Sequence, residues 1–332
     1  MLAAAAAAPA AGGLGLRRRL SGCLRRSAVR MMPEGPEVQS LVDRMQATLG
    51  GGRYEVKRAE IPSGRYAAAP PQGWEDLTAQ LPWVLDGVAA HGKFIHMGLH
   101  REGEGGEVVK AQIWSTLGLT GGWTLKPGHR QERIVLELAP LGADAAAARD
   151  LYLVFYDQRN FGTFKATFDE GELEAKLQSL GDPWLLGVGA GVEVGLEVGM
   201  KVGAGGGTEV EVVEDEAGAG TAGPAVALQE DRFLEIAAKQ QKTAPKRPVA
   251  VFLMDQSKTS GIGNYLLSEI LYATKIHPFA LVKDVDTEMW RDIYAAASEA
   301  MLVSRTQPRR RHLPAPARPP LIPSLSLSLS LS

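Results

Sequence analysis

A long low-complexity segment in the middle of the chain is the feature that most limits how this polypeptide can fold. Residues 187–227 consist mainly of Gly, Val, Ala and Glu, contain no aromatic residue, and carry seven acidic residues against one base, Lys201. Because such a composition cannot bury a hydrophobic core, we expect residues 187–230 to form a flexible acidic linker. The sequence therefore predicts two separately folded units, one on each side of this linker.

The part of the chain before the linker has the pattern of one helix followed by several strands. Apolar residues recur at helical spacing ahead of three glycines at 50–52: Val38, Leu41, Val42, Met45 and Leu49. Runs rich in β-forming residues and bounded by Gly and Pro follow, at residues 54–60, 84–98, 110–125, 133–138 and 151–168. Their spacing indicates a β-sandwich or flattened barrel over residues 33–168, and a helical connector is expected at 169–186.

The part after the linker, residues 231–303, has a helical pattern. The segment Gly261-Ile262-Gly263-Asn264 opens one predicted helix, and a second is predicted from Thr287 to about Leu302. Two helices behind a Gly-rich entrance favour a helix–two-turn–helix. The predicted fold class is therefore α+β, with an N-terminal β-sandwich and its leading helix followed by a mostly α-helical helix–two-turn–helix domain.

The two ends of the chain differ in composition from both units. Residues 1–32 contain six arginines and no acidic residue, which is typical of an organellar transit peptide. We therefore expect a mitochondrial or plastid location, whereas a chain that starts at Met32 would lack this presequence, and the nucleus is then the alternative. Residues 304–332, with their Ser-Leu alternation, are expected to be a disordered or aberrant tail.

The cysteine and histidine content argues against a metal site. The one cysteine, Cys23, lies in the predicted presequence, and the six histidines show no metal-ligand spacing. We therefore expect no metal and no cofactor. No apolar stretch of the sequence is long enough to span a bilayer, so no membrane partner is predicted.

The dipeptide Pro33-Glu34 carries chemistry if the chain is processed to expose it. If translation starts at Met32 and that residue is removed, Pro33 provides a terminal secondary amine. Such an amine attacks an aldehyde and forms an iminium that is positively charged at any pH, and the neighbouring carboxylate can move protons. The alternative is a structural proline near a helix start, where proline is common.

Five sequence blocks together resemble one enzyme family. They occur in the family's order across residues 32–303, apart from the linker: MPEGPEV at 32–38, HGKF at 91–94, STLGLTGGW at 115–123, DQRNFGTF at 157–164 and MDQSKTSGIGNYLLSEILYATKIHP at 254–278. The chain thereby resembles the formamidopyrimidine-DNA glycosylase and endonuclease VIII family of base-excision repair enzymes. No single block is specific, but the ordered combination is.

The resemblance implies a bifunctional DNA glycosylase/AP lyase that acts, as a monomer, on oxidised bases and abasic sites in double-stranded DNA. Pro33 would attack C1′ of the flipped nucleotide and form a Schiff base, and β/δ-elimination would then cleave the strand. Glu34 would protonate the sugar ring oxygen, and Lys93 would bind phosphate and assist at the sugar. Glu37 would support the site from one helical turn away. The alternatives are a solvated lysine at a hairpin tip and a solvated acid at a helix start.

The resemblance also implies a set of DNA contacts. Asn264 would bind phosphate where Gly-rich backbone meets a helix N-terminus, although Asn is also a frequent helix cap. Residues that fill the gap left by the flipped base are expected to be Leu119, Arg159 and Phe161. The alternative for Leu119 and Phe161 is a place in the β core. Basic residues that either contact phosphate or are simply solvated are Lys246, Arg247 and Lys258.

The chain departs from the family pattern at several positions. Asn160 and Thr116 stand where many relatives have a basic residue and a histidine. Relatives continue beyond the second helix into a β-hairpin finger, whereas the residues after Ser304 show no hairpin pattern and no cysteine. These departures keep one alternative open, a catalytically inactive, truncated DNA-binding module of the same family.

Overall fold

The computed structural model of the protein describes residues 33–142, 150–186 and 226–306. The predicted presequence, the low-complexity part of the predicted linker and the predicted tail beyond residue 306 lie outside these residues. The described part of the chain forms an N-terminal β unit, a short connector and a C-terminal helical unit.

The β unit consists of a leading helix and an eight-stranded antiparallel sheet. Helix α1 spans Gly35–Leu49, and the short helices α2 and α3 span Arg65–Ala68 and Trp74–Ala79. The strands are β1 Tyr54–Glu60, β2 Trp83–His91, β3 Phe94–Glu102, β4 Val108–Thr116, β5 Gly121–Thr124, β6 Glu132–Pro140, β7 Leu151–Asp157 and β8 Thr163–Thr167. Their order in the sheet is β5-β7-β6-β1-β2-β3-β4-β8.

The sheet curls until its two end strands meet. Trp123 on β5 lies with its ring centroid 6.3 Å from that of Phe164 on β8, although these strands stand at opposite ends of the strand order. The indole N–H of Trp123 also donates to Ser115 Oγ on β4 at 3.1 Å. Alternate residues of the strands point into the space between the two halves and form one hydrophobic core. The predicted β-sandwich with a leading helix is confirmed.

Three of the predicted β-rich runs contain two strands each. The runs at 84–98, 110–125 and 151–168 contain β2 and β3, β4 and β5, and β7 and β8, and of these three pairs only β2 and β3 are neighbours in the sheet. The turn between β2 and β3 is the hairpin that was expected to carry Lys93. His91 pairs with Phe94, so the turn has only the two residues Gly92 and Lys93, and Gly92 has a positive φ of 61°. A two-residue turn barely interrupts the apolar alternation of its flanking strands.

The connector and the helical unit follow the sandwich. The connector contains α4, Glu170–Gln178, and the short strand β9, Asp182–Pro183, which pairs in parallel with β10, Thr259–Ser260. The helices of the helical unit are α5 Glu230–Thr243, α6 Val249–Met254, α7 Asn264–Thr274 and α8 Thr287–Thr306, with a 3₁₀ turn at Val282–Asp284. Aromatic side chains fill its core: Trp184, Phe233, Phe252 and Trp290.

The helical pattern predicted α7 and α8 but missed the two helices before them. Helix α6 is short, and helix α5 buries only Phe233, Ala237 and Gln240, so its apolar face is narrow. The helices separated by two turns are therefore α6 and α7, with residues 255–263 between them, whereas the sequence pattern had paired α7 with α8. The predicted order of a β-sandwich followed by a helical domain is confirmed.

The two units are in direct contact through polar groups. Arg305 at the end of α8 forms an ion pair with Asp43 on α1 at 2.6 Å. The backbone N–H of Gly35 donates to the carbonyl oxygen of Gly261 at 2.9 Å, and a His91 ring nitrogen lies 2.8 Å from the carbonyl oxygen of Gly181. These contacts bring the start of α1, the β2–β3 turn and the start of α7 to one place.

Within residues 33–142, 150–186 and 226–306, none of the helices combines the length and the apolar character that crossing a membrane requires.

The aromatic core of the helical unit allows a stability prediction. Phe233 is fully buried and lies 5.4 Å from Trp184, 6.0 Å from Trp290 and 5.9 Å from Tyr294 between ring centroids. We expect Phe233→Ala to lower the free energy of unfolding by about 3–5 kcal/mol, because it removes buried area and leaves a cavity. Urea denaturation followed by tryptophan fluorescence measures this.

The matched control is Phe279→Ala, because the Phe279 side chain is 73% exposed. We expect this change to stay within about 0.5 kcal/mol of the original protein. Equal effects of the two substitutions would contradict the packing described for Phe233.

Candidate active site and nucleic-acid interface

A cleft of about 440 Å³ opens where the two units meet. Its lining brings together residues from distant parts of the sequence, among them Pro33, Glu34, Lys93, Leu119 and Asn264. Pro33 and Glu34 precede α1, Lys93 lies at the tip of the β2–β3 hairpin, and Asn264 is the first residue of α7. The predicted catalytic residues therefore share one cleft with two of the predicted DNA contacts.

The carboxylate of Glu34 closes the amino end of α7. Its Oε2 accepts from the backbone N–H of Gly263 at 2.8 Å and of Leu266 at 3.2 Å, and its Oε1 accepts from the N–H of Tyr265 at 2.9 Å. The N–H groups of a first helical turn have no partner within the helix, and the helix dipole favours an anion there. A residue at the start of one unit thus caps a helix of the other.

Burial gives Glu34 an unusual pKa. The residue is only 2% exposed. Loss of hydration raises the pKa of the carboxyl group from 4.5 to about 7, although the backbone N–H groups of Tyr265 and Leu266 and the charge of Lys93 act in the opposite direction. A carboxyl group with a pKa near neutrality can both give and take a proton at physiological pH.

Lys93 points into the cleft from the hairpin tip. Its Nζ donates to the carbonyl oxygen of Ile262 at 2.9 Å, just before the start of α7. Burial lowers the pKa of the Lys93 ammonium group, while the nearby charge of Glu34 raises it. Lys93 is half-buried in the structure, so it is not the solvated hairpin lysine of the alternative interpretation.

Glu37 links the amino end of α1 to the amino end of α7. One of its oxygens, Oε2, accepts from the backbone N–H of Glu34 at 3.1 Å, and Oε1 accepts from the hydroxyl group of Tyr265 at 2.7 Å. Burial and the charge of Glu37 raise the pKa of the Tyr265 hydroxyl, which therefore remains a donor. Glu37 is half-buried and bound on both sides, so it is not a solvated acid at a helix start.

Glycine at position 263 makes the approach of Glu34 to α7 possible. A Cβ atom built on Gly263 would lie far inside van der Waals contact with Cδ and Oε1 of Glu34. The backbone of Gly263 is extended, with φ −131°, so any residue could adopt its conformation. The requirement for glycine is therefore one of space and not of backbone freedom.

The predicted gap-filling residues lie on two neighbouring loops. We call residues 117–120, between β4 and β5, and residues 158–162, between β7 and β8, the paired loops. Phe161 is 58% exposed and Leu119 is half-buried, and neither belongs to the β core. The core alternative for these two residues is wrong, because both side chains lie on loops at the end of the sandwich. Arg159 is exposed on the second of the paired loops.

Asp157 ties the paired loops to each other. This fully buried carboxylate accepts from Thr120 Oγ1 at 2.6 Å, from the N–H of Arg159 at 3.1 Å and from the N–H of Gly162 at 2.7 Å. It thereby binds the first loop and both ends of the second. Sequence analysis did not identify Asp157 as a site residue, although a carboxylate at a strand end just before a polar loop is a common way to hold such a loop.

The predicted phosphate contacts differ in their surroundings. Asn264 is exposed at the cleft and does not cap α7, whose N-cap residue is Gly263. Lys246 is exposed and Lys258 is half-buried. The guanidinium group of Arg247 forms an ion pair with Asp255 at 2.8 Å and donates to Gln240 Oε1 at 3.0 Å. The phosphate contact of Arg247 remains a prediction, but its positive charge is paired with Asp255 within the helical unit.

Gln256 is a second residue that sequence analysis did not identify. Its Nε2 donates at 2.9 Å to the carbonyl oxygen of Ile262, which also binds Lys93, and its Oε1 accepts from the N–H of Gly261 at 2.9 Å. Gln256 therefore fixes the loop that presents α7 to the cleft. Its position within the motif DQSKTSGIGN was the only signal in the sequence.

Two family models match the chain. The formamidopyrimidine-DNA glycosylase N-terminal domain matches residues 32–164, and the formamidopyrimidine-DNA glycosylase H2TH domain matches residues 224–306. These ranges correspond to the β unit and the helical unit described above.

Curated relatives match over short stretches. Endonuclease 8-like 1 of Mus musculus is 44% identical over 64 residues, which are 19% of this chain and 16% of that protein. Formamidopyrimidine-DNA glycosylase of Mycoplasma pneumoniae is 36% identical over 55 residues, which are 17% of this chain and 20% of that protein. The chain thus aligns with no more than about a fifth of the length of either relative.

Solved structures match over most of the chain. Lactococcus lactis formamidopyrimidine-DNA glycosylase bound non-covalently to DNA with an abasic site has a TM-score of 0.55 and 17% identity, and the match covers 82% of each chain. The same enzyme with DNA that contains an oxidised pyrimidine has a TM-score of 0.54 and 17% identity, over 82% of this chain and 80% of that one. At this level of identity the likeness shows a shared fold.

The contact between Gly263 and Glu34 gives a second prediction. We expect Gly263→Ala to lower the free energy of unfolding by about 1–3 kcal/mol, because the methyl group must displace a packed carboxylate. Thermal or urea denaturation measures this.

Gly98→Ala is the matched control. A Cβ atom at Gly98 on β3 would meet the Cβ atom of Asp86 at an ordinary 3.5 Å. If both alanine variants are as stable as the original protein, the close approach of Glu34 to α7 is wrong.

The raised pKa of Glu34 predicts a pH-dependent stability. Below pH 4.5 the group is protonated in the folded and the unfolded state, but between pH 4.5 and about 7 the unfolded state releases its proton first. The free energy of unfolding should therefore fall with rising pH, relative to the Glu34→Gln variant, by an amount on the order of 3 kcal/mol. Urea denaturation at pH 4 to 8 measures this difference.

Glu104→Gln, at an exposed position beyond β3, is the control for the loss of a carboxylate. This variant should follow the original protein across the same pH range. A constant difference between the original protein and Glu34→Gln over that range would contradict the raised pKa.

Proposed function

Because the chain belongs to the formamidopyrimidine-DNA glycosylase and endonuclease VIII family, we propose that it is a bifunctional DNA glycosylase/AP lyase. It would excise oxidised bases from double-stranded DNA and cleave the strand at the resulting abasic site. The observation that carries the proposal is the buried carboxyl group of Glu34, with a pKa of about 7, next to Pro33 in a cleft that Lys93 also lines.

The reaction needs a free amine at Pro33. Its lone pair attacks C1′ of the extruded nucleotide, the bond between C1′ and the base breaks, and the base leaves with a proton. Protonation of the ring oxygen by Glu34 opens the sugar and leaves an iminium between Pro33 and C1′. The iminium acidifies the proton at C2′, so its removal expels the 3′ phosphate, and a second elimination expels the 5′ phosphate. Water then hydrolyses the iminium and releases Pro33.

The surrounding residues would prepare Glu34 and the sugar for these steps. The three backbone donors of α7 fix the direction of the carboxyl group, and Glu37 binds the backbone N–H of Glu34. The ammonium group of Lys93 lies in the same cleft, where it would neutralise a phosphate of the damaged strand. Preorganised groups of this kind need no rearrangement during the reaction.

DNA binding would use the paired loops and the amino end of α7. Leu119, Arg159 and Phe161 project from the loops and would occupy the space that the extruded nucleotide leaves. Asn264 and the start of α7 would bind phosphate. The formal net charge of the chain is only −2, so attraction to DNA must come from local basic groups and not from the overall field.

A second candidate follows from the sequence around Pro33. Met32 and the residues before it convert the Pro33 nitrogen into an amide, which is not a nucleophile. A chain that retains residues 1–32 would be a DNA-binding module without lyase chemistry. Removal of a transit peptide or of an initiator methionine at position 32 would convert this inactive form into the enzyme.

Trapping with borohydride tests the proposal. A chain that begins at Pro33, mixed with duplex DNA containing an oxidised base, should give a covalent protein–DNA adduct, because borohydride reduces the iminium to a stable amine. A chain that retains residues 1–32 is the matched control and should give none. No adduct from a folded, DNA-binding chain that begins at Pro33 would refute the lyase proposal in favour of the binding module.

The variant Pro33→Gly tests the secondary amine itself. A glycine amine forms an imine that can lose its proton, whereas the iminium of proline stays positively charged. We expect strand cleavage at an abasic site to fall by at least about tenfold, with the DNA affinity retained. Unchanged cleavage would assign the nucleophile to another group.

A further inference from the structure

Lys176 lines the cleft that the start of α7 also lines, and no part of the proposed reaction uses it. It stands in the last turn of α4, Glu170–Gln178, within the connector. Its side chain lines the same cleft as Pro33, Glu34 and Lys93. Sequence analysis assigned no function to this position.

The lysine is held in place by an aromatic ring. Its Nζ lies 5.7 Å from the ring centroid of Phe94, which follows Lys93 in the sequence and is itself buried. The Phe94 ring is in turn packed edge-on against Trp114, with centroids 5.6 Å apart. A cation over an aromatic face keeps its charge available on its other side.

No carboxylate of the described residues lies within ion-pairing distance of Lys176. Its neighbour Lys165 is different, because Lys165 Nζ forms an ion pair with Glu172 at 2.7 Å. Lys110 is also paired, with Glu170 at 2.8 Å. Lys176 therefore presents an uncompensated positive charge.

The charges that line the cleft favour an anionic ligand. The lining has two ammonium groups, Lys93 and Lys176, against one carboxyl group, Glu34. Burial keeps that carboxyl group partly protonated near neutral pH, so it offsets less than one positive charge.

We propose that Lys176 is a phosphate-binding residue that contacts the backbone of the damaged DNA strand in the cleft that Asn264 also lines. This inference rests on the proposed function, because the anion it assigns is a phosphodiester of bound DNA. Lys176 contributes to the affinity and not to the chemistry, since it binds the strand and touches no reacting atom. Lys176 and Asn264 would then contact the same strand within one cleft.

The salt dependence of DNA binding tests this assignment. Fluorescence anisotropy with the full chain and a duplex containing a tetrahydrofuran abasic analogue gives the association constant at increasing KCl. For Lys176→Gln we expect an affinity about five- to tenfold lower near 0.1 M salt. The slope of log K against log[salt] should become shallower by about one, because one phosphate contact is lost.

Two further variants serve as controls. Lys165→Gln removes a lysine that also lies over an aromatic ring, 4.6 Å from the Trp114 centroid, but that is paired with Glu172 and does not line the cleft. We expect its slope to equal that of the original protein. Lys176→Arg keeps the charge and should restore the original slope.

A slope that is the same for Lys176→Gln and the original protein would overturn the assignment. So would a loss of lesion discrimination without a change of slope, since Lys176 would then contact the extruded base. Failure of the original protein to bind the duplex would instead refute the proposed function. The two failures are distinguishable because the slope is compared only among chains that bind.

Discussion

The interaction between the Glu34 carboxyl group and the amino end of α7 is the one on which the rest of the site depends. The acceptor comes from the β unit and the donors come from the helical unit, so the contact exists only after both units have folded and met. Two physical effects oppose each other there. Three backbone donors favour the charged carboxylate, and burial disfavours it more strongly, so the pKa of Glu34 rises to about 7. A structural cap thereby becomes a group that can exchange a proton.

Close backbone approach makes this contact possible. Gly263 leaves room for the carboxyl group of Glu34, and the N–H of Gly35 reaches the carbonyl oxygen of Gly261 at 2.9 Å. A Cβ atom at Gly92 would likewise collide with Ser260, so the hairpin that carries Lys93 rests directly on the loop before α7. Gly35 and Gly92 of the β unit therefore lie against Gly261 of the helical unit. Because these positions carry no side chain, the backbones of the two units can approach closely beside the cleft.

The two walls of the cleft are stabilised in different ways. On the helical side, Gln256 and Lys93 share the carbonyl oxygen of Ile262, and Tyr265 binds Glu37. On the sandwich side, the single buried carboxylate of Asp157 holds both of the paired loops. Exposed side chains such as Phe161 and Arg159 can therefore project from a rigid base. Side chains that insert between stacked bases need a backbone that keeps its position during insertion.

Local patterns in the sequence determined the elements and the identity of the chemical groups. The spacing of Val38 to Leu49 predicted α1, the run at 54–60 predicted β1, and Gly261-Ile262-Gly263 marked the start of α7. The order of the motif blocks indicated Pro33, Glu34 and Lys93 together. The pattern failed where a helix had a narrow apolar face, as in α5.

Tertiary structure decided what each of these groups touches. The sequence allowed the Asn264 side chain to cap α7. The group that binds the first N–H donors of this helix is instead the carboxyl group of Glu34, 229 positions before Gly263. The sequence did not decide whether Glu37 is solvated or supports the site. In the structure Glu37 accepts a hydrogen bond from the hydroxyl group of Tyr265, so it supports the site. The sequence also gave no sign that Arg247 forms an ion pair with Asp255, or that Lys176 lines the cleft. Periodicity and capping rules describe neighbours along the chain, whereas burial, pKa and charge pairing depend on neighbours in space.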